Sequence, residues 1–354
     1  MFLVENQSFS IVQYKPGIES IFFDLLRISM GETAIKKRTA EYWNWKHLRN
    51  PFGVSRGFYA ADDVSKTVIA LRILMSWSFK TQDGVAISAV RAVDTCTHPG
   101  YRRKGLFSVL TKQAIEELRK DKIPFIFNTP NQNSLPGYLK LGWKIAAKFS
   151  IYCRIISPIK FILKSIFFNK NASTPKLNEI DFFKVKIDSW EEFENRFGSQ
   201  IEELINKWEQ NRKGCGFRTL RSLSYFKWRY AEHPYVGYKV YSMPDEFGLA
   251  GFIVLRPNYR RGQREILLTE LYLREPSSLL AKKLFKGLKN NLKAEYLVAH
   301  FADATLEKRM LLRAGFFCFP LRKFIFTVKS LFEISPNISL RKNWDLSLGD
   351  LEVF

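Results

Sequence analysis

The chain has 354 residues, 46% hydrophobic and 15% aromatic, which excludes a disordered polypeptide and points to roughly two domains of 100–200 residues. Fifty-six lysines and arginines against 34 acidic residues leave a net charge of +22. That balance calls for an anionic partner: coenzyme or nucleotide phosphates, RNA, or an acidic membrane surface. Cys96, Cys153, Cys215 and Cys318 lie far apart, as do the four histidines, so neither a disulfide framework nor a metal site is expected. The cysteines read as reduced, buried thiols of a cytoplasmic protein. Met1-Phe2-Leu3-Val4-Glu5 lacks the features of a signal peptide, and no apolar run is long enough to span a bilayer.

In chain order, the pattern predicts a strand near 9–14, helices near 18–28 and 40–48, and strands near 57–61, 68–78 and 85–97. The segment Asp94-Thr95-Cys96-Thr97-His98-Pro99-Gly100-Tyr101-Arg102-Arg103-Lys104-Gly105-Leu106-Phe107 then reads as a strand, a basic glycine turn and a helix. Leu106, Val109, Leu110, Ala114 and Leu118 recur at helical spacing and predict a helix over 104–120. A turn of this kind aims backbone N–H groups and a helix N-terminus at one point, which suits a pyrophosphate. Gly105 removes the side chain where the anion must come close. Arg102, Arg103, Lys104, Gly105, Leu106 and Phe107 are therefore candidate cofactor-binding residues. A strand at 125–129, a short helix at 135–141 and a strand at 143–151 complete the first half.

Residues 157–170 are apolar and basic, and a polar linker, 171–175, follows. As a helix this segment could lie on an acidic membrane surface. Its shortness favours instead a helix packed between domains, with lysine stems covering apolar surface.

The second half repeats the layout of the first. Trp45-Lys46-His47-Leu48-Arg49-Asn50-Pro51-Phe52 is matched by Trp228-Arg229-Tyr230-Ala231-Glu232-His233-Pro234-Tyr235, and Leu141-Gly142-Trp143 by Ala314-Gly315-Phe316. The repeat runs from about 181 to 328, with one long helix expected over 190–210. Its strand-to-helix turn is Arg274-Glu275-Pro276-Ser277-Ser278. Glu275 repels phosphate and Pro276 has no N–H to offer. This half is expected to have lost coenzyme binding and to form one wall of an acceptor cleft. The tail after Asn337 carries no motif.

Two segments carry a family resemblance. Arg102-x-x-Gly105-x-Phe107, approached through Thr97-His98-Pro99, resembles the acyl-CoA-binding motif of the GNAT superfamily, with Phe107 in place of a small residue. The run from Asn131 through Ser134 and Tyr138 to Gly142 resembles that family's Asn-x-x-Ala-x-x-x-Tyr-x-Lys-x-Gly segment, with Ser134 in place of alanine. The resemblance implies an α/β (α+β) fold of two tandem GNAT-like domains, each a mixed twisted sheet flanked by helices. Residues 1–155 would be the catalytic, acetyl-CoA-binding domain, 156–176 a linker, 177–335 a degenerate GNAT-like domain and 336–354 a tail.

It also implies an N-acetyltransferase that moves an acetyl group from acetyl-CoA directly to an amine acceptor, most simply a small molecule, without a metal. By the same resemblance Tyr138 is the general acid toward the departing thiolate and Asn131 contacts the coenzyme. Leu311, at the matching place in the second half, has no proton to give. Asp94 is a candidate general base, its alternative being an aspartate that satisfies local backbone or Arg91. Backbone N–H groups around Cys96 and Thr97 are expected to hold the thioester oxygen. Two rivals remain: a Fem-type tRNA-dependent aminoacyl transferase, which the +22 charge would suit, and a non-enzymatic coenzyme- or RNA-binding module.

Overall fold

The computed structural model describes residues 2–4, 7–33, 36–168, 175–211, 216–303 and 305–351. Cys215 and most of the polar linker, 171–174, lie outside them. β1 (Phe2–Val4) and β2 (Gln7–Gln13) lead to α1 (Ser20–Met30) and α2 (Ala40–Trp43), which passes directly into a π-turn at Asn44–Leu48. The meander β3 (Arg56–Asp62), β4 (Val68–Lys80) and β5 (Ala86–Thr97) comes next. It is followed by α3 (Leu106–Lys120), β6 (Phe125–Asn128), α4 (Leu135–Lys140) and β7 (Lys144–Ile155).

α5 (Pro158–Ile166) joins the halves. Then come α6 (Trp190–Phe197), α7 (Ser199–Gln210), β8 (Arg218–Thr219) and α8 (Leu223–Phe226), which again enters a π-turn, at Lys227–Ala231. β9 (Lys239–Asp245), β10 (Gly248–Arg260), β11 (Gln263–Leu273), α9 (Ser278–Asn290), β12 (Tyr296–Ala299), α10 (Leu306–Arg313), β13 (Phe317–Ser330) and α11 (Leu348–Leu351) complete the chain.

Local chemistry explains most boundaries. α3 buries Leu106, Leu110, Ala114 and Leu118, the stripe its spacing announced. The single helix expected over 190–210 is two helices. Ser189 and Glu192 form a capping box that starts α6, and Gly198, at φ +49°, ends it before α7 begins.

The strands form one mixed sheet in the order β1-β2-β3-β4-β5-β6-β13-β7-β12-β11-β10-β9, with β8 on β4. The order is not what two independent sheets would give. β13, from the second half, pairs with β6 of the first (Val328↔Phe127), while β7, from the first, pairs with β12 of the second (Cys153↔Val298). β7 and β13 pair with each other at the centre. Each half thus lends its last strand to the other.

The two π-turns meet each other in the core. Trp45 and Trp228 stack at 5.4 Å and 17°, and each indole N–H donates to the other's backbone carbonyl at 2.7 Å. Both tryptophans are core residues. The motif-free tail is core as well: Ile338, Trp344, Leu346, Leu348 and Leu351 are buried, and Trp344 packs on Phe79, Phe125, Phe217 and Phe326. Cys96 and Cys153 are buried, as expected, whereas Cys318 is exposed, contrary to expectation. No helix among the described residues is long and apolar enough to cross a membrane, and no group of side chains there could hold a metal ion.

Candidate functional site

The basic turn ends in two left-handed residues, Arg103 at φ +65° and Gly105 at φ +79°. Gly105 is the N-cap of α3 and supplies no side-chain cap. Among the described residues, no backbone carbonyl takes the N–H of Arg103, Gly105, Leu106 or Phe107. These are the orphan donors of a helix start, aimed outward. A Cβ built on Gly105 meets nothing within 4 Å, so the apex is open. Arg102 and Arg103 are exposed, and the Lys104 ammonium lies 5.4 Å from the Tyr101 ring. Leu106 buries its side chain in the core, so only its N–H faces the turn's ligand.

Phe107 is accommodated by α4. A Cβ at Gly137 would come within 3.0 Å of the Phe107 ring, and that ring meets Tyr138 edge-on at 5.3 Å. Glycine at 137 is what lets a bulky residue occupy the motif's small position.

Beside the turn the sheet opens. Among the described residues β5 pairs with β6 only at Val90↔Ile126 and Arg91↔Phe127, so its β6-facing edge from Ala92 to Thr97, including Cys96, has no partner strand there. On its other side β5 bulges: Ile73 faces Val93 and Leu71 faces Cys96, so Arg72 opposes both Asp94 and Thr95. Asp94 takes φ +41° there, the local distortion that re-aims side chains at such sites.

Arg72 is the residue that sequence reasoning missed. It is buried, and its Nη1 donates to the Tyr138 hydroxyl at 2.7 Å and to Thr95 Oγ1 at 2.9 Å. Its guanidinium lies over the rings of Tyr138 and Phe107, at 5.1 and 5.5 Å. Its Nε and Nη2 meet no hydrogen-bond partner among the described residues. A buried cation with unsatisfied donors is costly unless something accepts from it. The signal was one arginine inside the apolar run Val68–Met75.

Tyr138 is itself buried and accepts from Arg72, which leaves its own hydrogen to give elsewhere. Asn131 spends its Oδ1 locally, accepting from the N–H of Asn133 and Ser134 and from Ser134 Oγ at 2.9–3.1 Å. Its side-chain amide nitrogen is what remains to contact a ligand. Thr97 accepts from Ser29 through its carbonyl at 3.2 Å. Burial pushes the Cys96 thiol up to about 12, which makes it a poor nucleophile.

Asp94 is buried among basic side chains. Lys46 Nζ lies 2.5 Å away, His47 Nε2 2.9 Å and Arg38 Nη1 3.3 Å. Burial alone would raise its carboxyl; Lys46, His47 and Arg38 outweigh that and hold it well below the usual carboxylate range. Burial pushes the His47 imidazole down to about 4, against the pull of Asp94. Arg91, the partner weighed for Asp94, turns elsewhere, to the carbonyl of Asp350 at 2.9 Å. Lys36, on the loop before α2, is pushed down to about 8 by burial and by the charge of Lys46.

The second half closes the corresponding places. Ser277 caps α9 with its own side chain, accepting from Leu280 N–H at 3.3 Å. Where β11 and β12 part, the tail enters. Leu348 N–H donates to the His300 carbonyl at 2.8 Å, Ser347 bridges to Phe301, and Leu348 packs on Leu267 and Val298.

Residues 17–146 match the family described as the acetyltransferase (GNAT) domain. The chain carries a GNAT domain in its first half. It is an acyltransferase, built on a two-domain GNAT fold. No curated protein matches it in sequence. Solved structures share its fold. A probable N-acyltransferase of unknown function from Enterococcus faecalis has 15% identity and a TM-score of 0.60, over 92% of this chain and 73% of that one. A GCN5-related N-acetyltransferase from Anabaena variabilis has 12% identity and a TM-score of 0.57, over 92% and 73%. Saccharomyces cerevisiae N-myristoyltransferase, with bound myristoyl-CoA, has 14% identity and a TM-score of 0.57, over 97% and 85%.

Proposed function

We propose that the first half binds acetyl-CoA and transfers its acetyl group directly to an amine, with the second half forming a wall of the acceptor cleft. The observation that carries this reading is the uncapped start of α3 at Gly105 beside the unpaired edge of β5 and the Tyr138 hydroxyl. The diphosphate sits on the N–H groups of Gly105, Leu106 and Phe107, with Arg102, Arg103 and Lys104 adding charge. The thioester lies along Cys96 and Thr97, whose N–H groups polarise its carbonyl, and Asn131 contacts the coenzyme through its amide nitrogen.

The acceptor's ammonium first loses a proton. Its nitrogen then attacks the carbonyl carbon, the C–N bond forms and the C–S bond breaks. The departing thiolate takes the proton of Tyr138, the nitrogen releases its remaining extra proton as the amide forms, and that proton restores the phenol through solvent, with Arg72 facing the phenolate in the interval. Asp94 serves as the buried counter-charge that fixes Lys46, His47 and Arg38. A carboxylate held so low is a weak proton acceptor at neutral pH.

The test is calorimetry with acetyl-CoA and longer acyl-CoAs, followed by mass spectrometry of amine mixtures incubated with isotope-labelled donor. Tightest binding and turnover with acetyl-CoA is the expected result. Preference for a long chain would move the donor assignment toward that of the myristoyltransferase, and absence of binding to every acyl-CoA would overturn the reading.

A further inference from the structure

α5 is built inside out. Phe161, Lys164 and Ser165 face the protein, and its large aliphatic side chains face water. Gln263 Nε2 donates to Ser165 Oγ at 2.7 Å and to the Phe161 carbonyl at 3.4 Å. Lys164 pairs with Glu295 at 3.2 Å, and the Phe161 ring meets Tyr296 edge-on at 5.5 Å. These contacts seat one side of the helix on the starts of β11 and β12. The other side carries Ile159, Ile162, Leu163, Ile166 and, just past the helix, Phe167, which are 76, 54, 49, 68 and 76% exposed. No residue of α5 is buried, so a helix packed between domains is not what forms here. A surface helix of a globular protein has the reverse arrangement, and a contiguous apolar patch of this kind marks an interaction site.

The border of the patch identifies the partner. Lys160 is exposed within it. Phe168 packs against Gly262, which brings the turn Arg260-Arg261-Gly262 to the far end of the patch, and both arginines are exposed. No acidic residue occurs from 157 to 168, and the whole chain carries +22. Apolar side chains rimmed by cations complement a surface with negative headgroups above a hydrocarbon layer. We propose that α5 docks this protein onto bilayers containing anionic lipid. Ile159, Ile162, Leu163, Ile166 and Phe167 enter the boundary between headgroups and acyl chains, and Lys160, Arg260 and Arg261 meet lipid phosphates. A nine-residue helix is too short to span and lies flat. This inference does not depend on the identity of the acyl donor.

Vesicle co-sedimentation of the full chain tests it, using phosphatidylcholine with and without phosphatidylglycerol. Sedimentation should require phosphatidylglycerol and weaken as salt is raised. Ile162→Glu with Ile166→Glu should lower partitioning roughly tenfold or more, and Lys160→Glu with Arg261→Glu should lower it less. In Phe167→Trp, the new indole's emission should shift to the blue on adding vesicles. Circular dichroism melting of each variant should match the wild type, since the changed side chains touch no core. Three results would overturn the proposal: wild-type protein left in the supernatant, equal binding by the Ile162/Ile166 variant, or a vesicle-free self-association that this variant abolishes, which would make a second copy the occupant.

Discussion

The two halves share a skeleton and differ where a ligand would sit. Arg38 with His47 meets Asp94 in the first, as Arg221 with Tyr230 meets Glu270 in the second, each carboxylate beside a bulge in its strand. The buried carboxylate is therefore part of the shared framework, in the half that keeps an open turn and in the half that lacks one. What separates them is smaller and more local. Gly105 leaves α3 uncapped, whereas Ser277 caps α9. Tyr138 offers a hydroxyl where Leu311 offers none, although Gly142 and Gly315 end the two helices with the same φ of +83°. The gap beside β5 stays open to β6, and the one beside β11 receives Ser347 and Leu348. The second half fills and caps the places that the first leaves open, with the scaffold left intact.

The comparison breaks most completely at Gly105. Gly105→Glu puts a carboxylate at a left-handed position facing the diphosphate, and should weaken acyl-CoA binding by roughly a hundredfold or more. Calorimetry measures it, and unchanged affinity would remove the turn from the site. Tyr138→Phe makes the first half resemble the second at the reacting bond. It should lower kcat roughly 100-fold while leaving coenzyme affinity within a few-fold; single-turnover rates at saturating donor decide whether the hydroxyl takes part.

Asp94→Asn and Glu270→Gln should behave alike if both carboxylates are framework. Each uncouples buried cations and should cost about 3–5 kcal/mol in urea unfolding. A large loss of kcat at wild-type stability in Asp94→Asn alone would restore Asp94 as a base. The mildest contrast is in acid. His47 is held down to about 4 against an ordinary value near 6.5, so the unfolded chain binds its proton first. Its contribution, roughly 3 kcal/mol at most, is complete above pH 6.5 and fades as pH falls toward 4. His233 and His300 are lowered by burial in the same direction. His47→Gln should therefore flatten the stability profile between those limits only in part, which urea unfolding across that pH range measures.

Features encoded within a few residues were legible in advance. The glycine turn, the α3 stripe, the paired Trp45 and Trp228 and the proline-bearing turn of the second half each depend on neighbours in sequence. Arg72 was not legible, because its meaning comes from Tyr138 and Thr95, brought to it by sheet pairing and by α4. Lys46 and His47 were noticed only as part of a repeat, since nothing local ties them to Asp94. The tail resisted reading for the same reason: Trp344 and Leu348 find their contacts far back along the chain. The helix at 190–210 was overextended because Gly198 breaks a pattern that is otherwise continuous.

The exchange of β7 and β13 sets how this molecule can move. A fragment ending at 155 would lack the strand that covers β6 and would carry one that belongs beside β12. The halves cannot swing apart about a hinge without tearing ladder hydrogen bonds from the middle of the sheet. Access for reactants must come from rearranging loops at the rim, and denaturation should erase both halves in a single step.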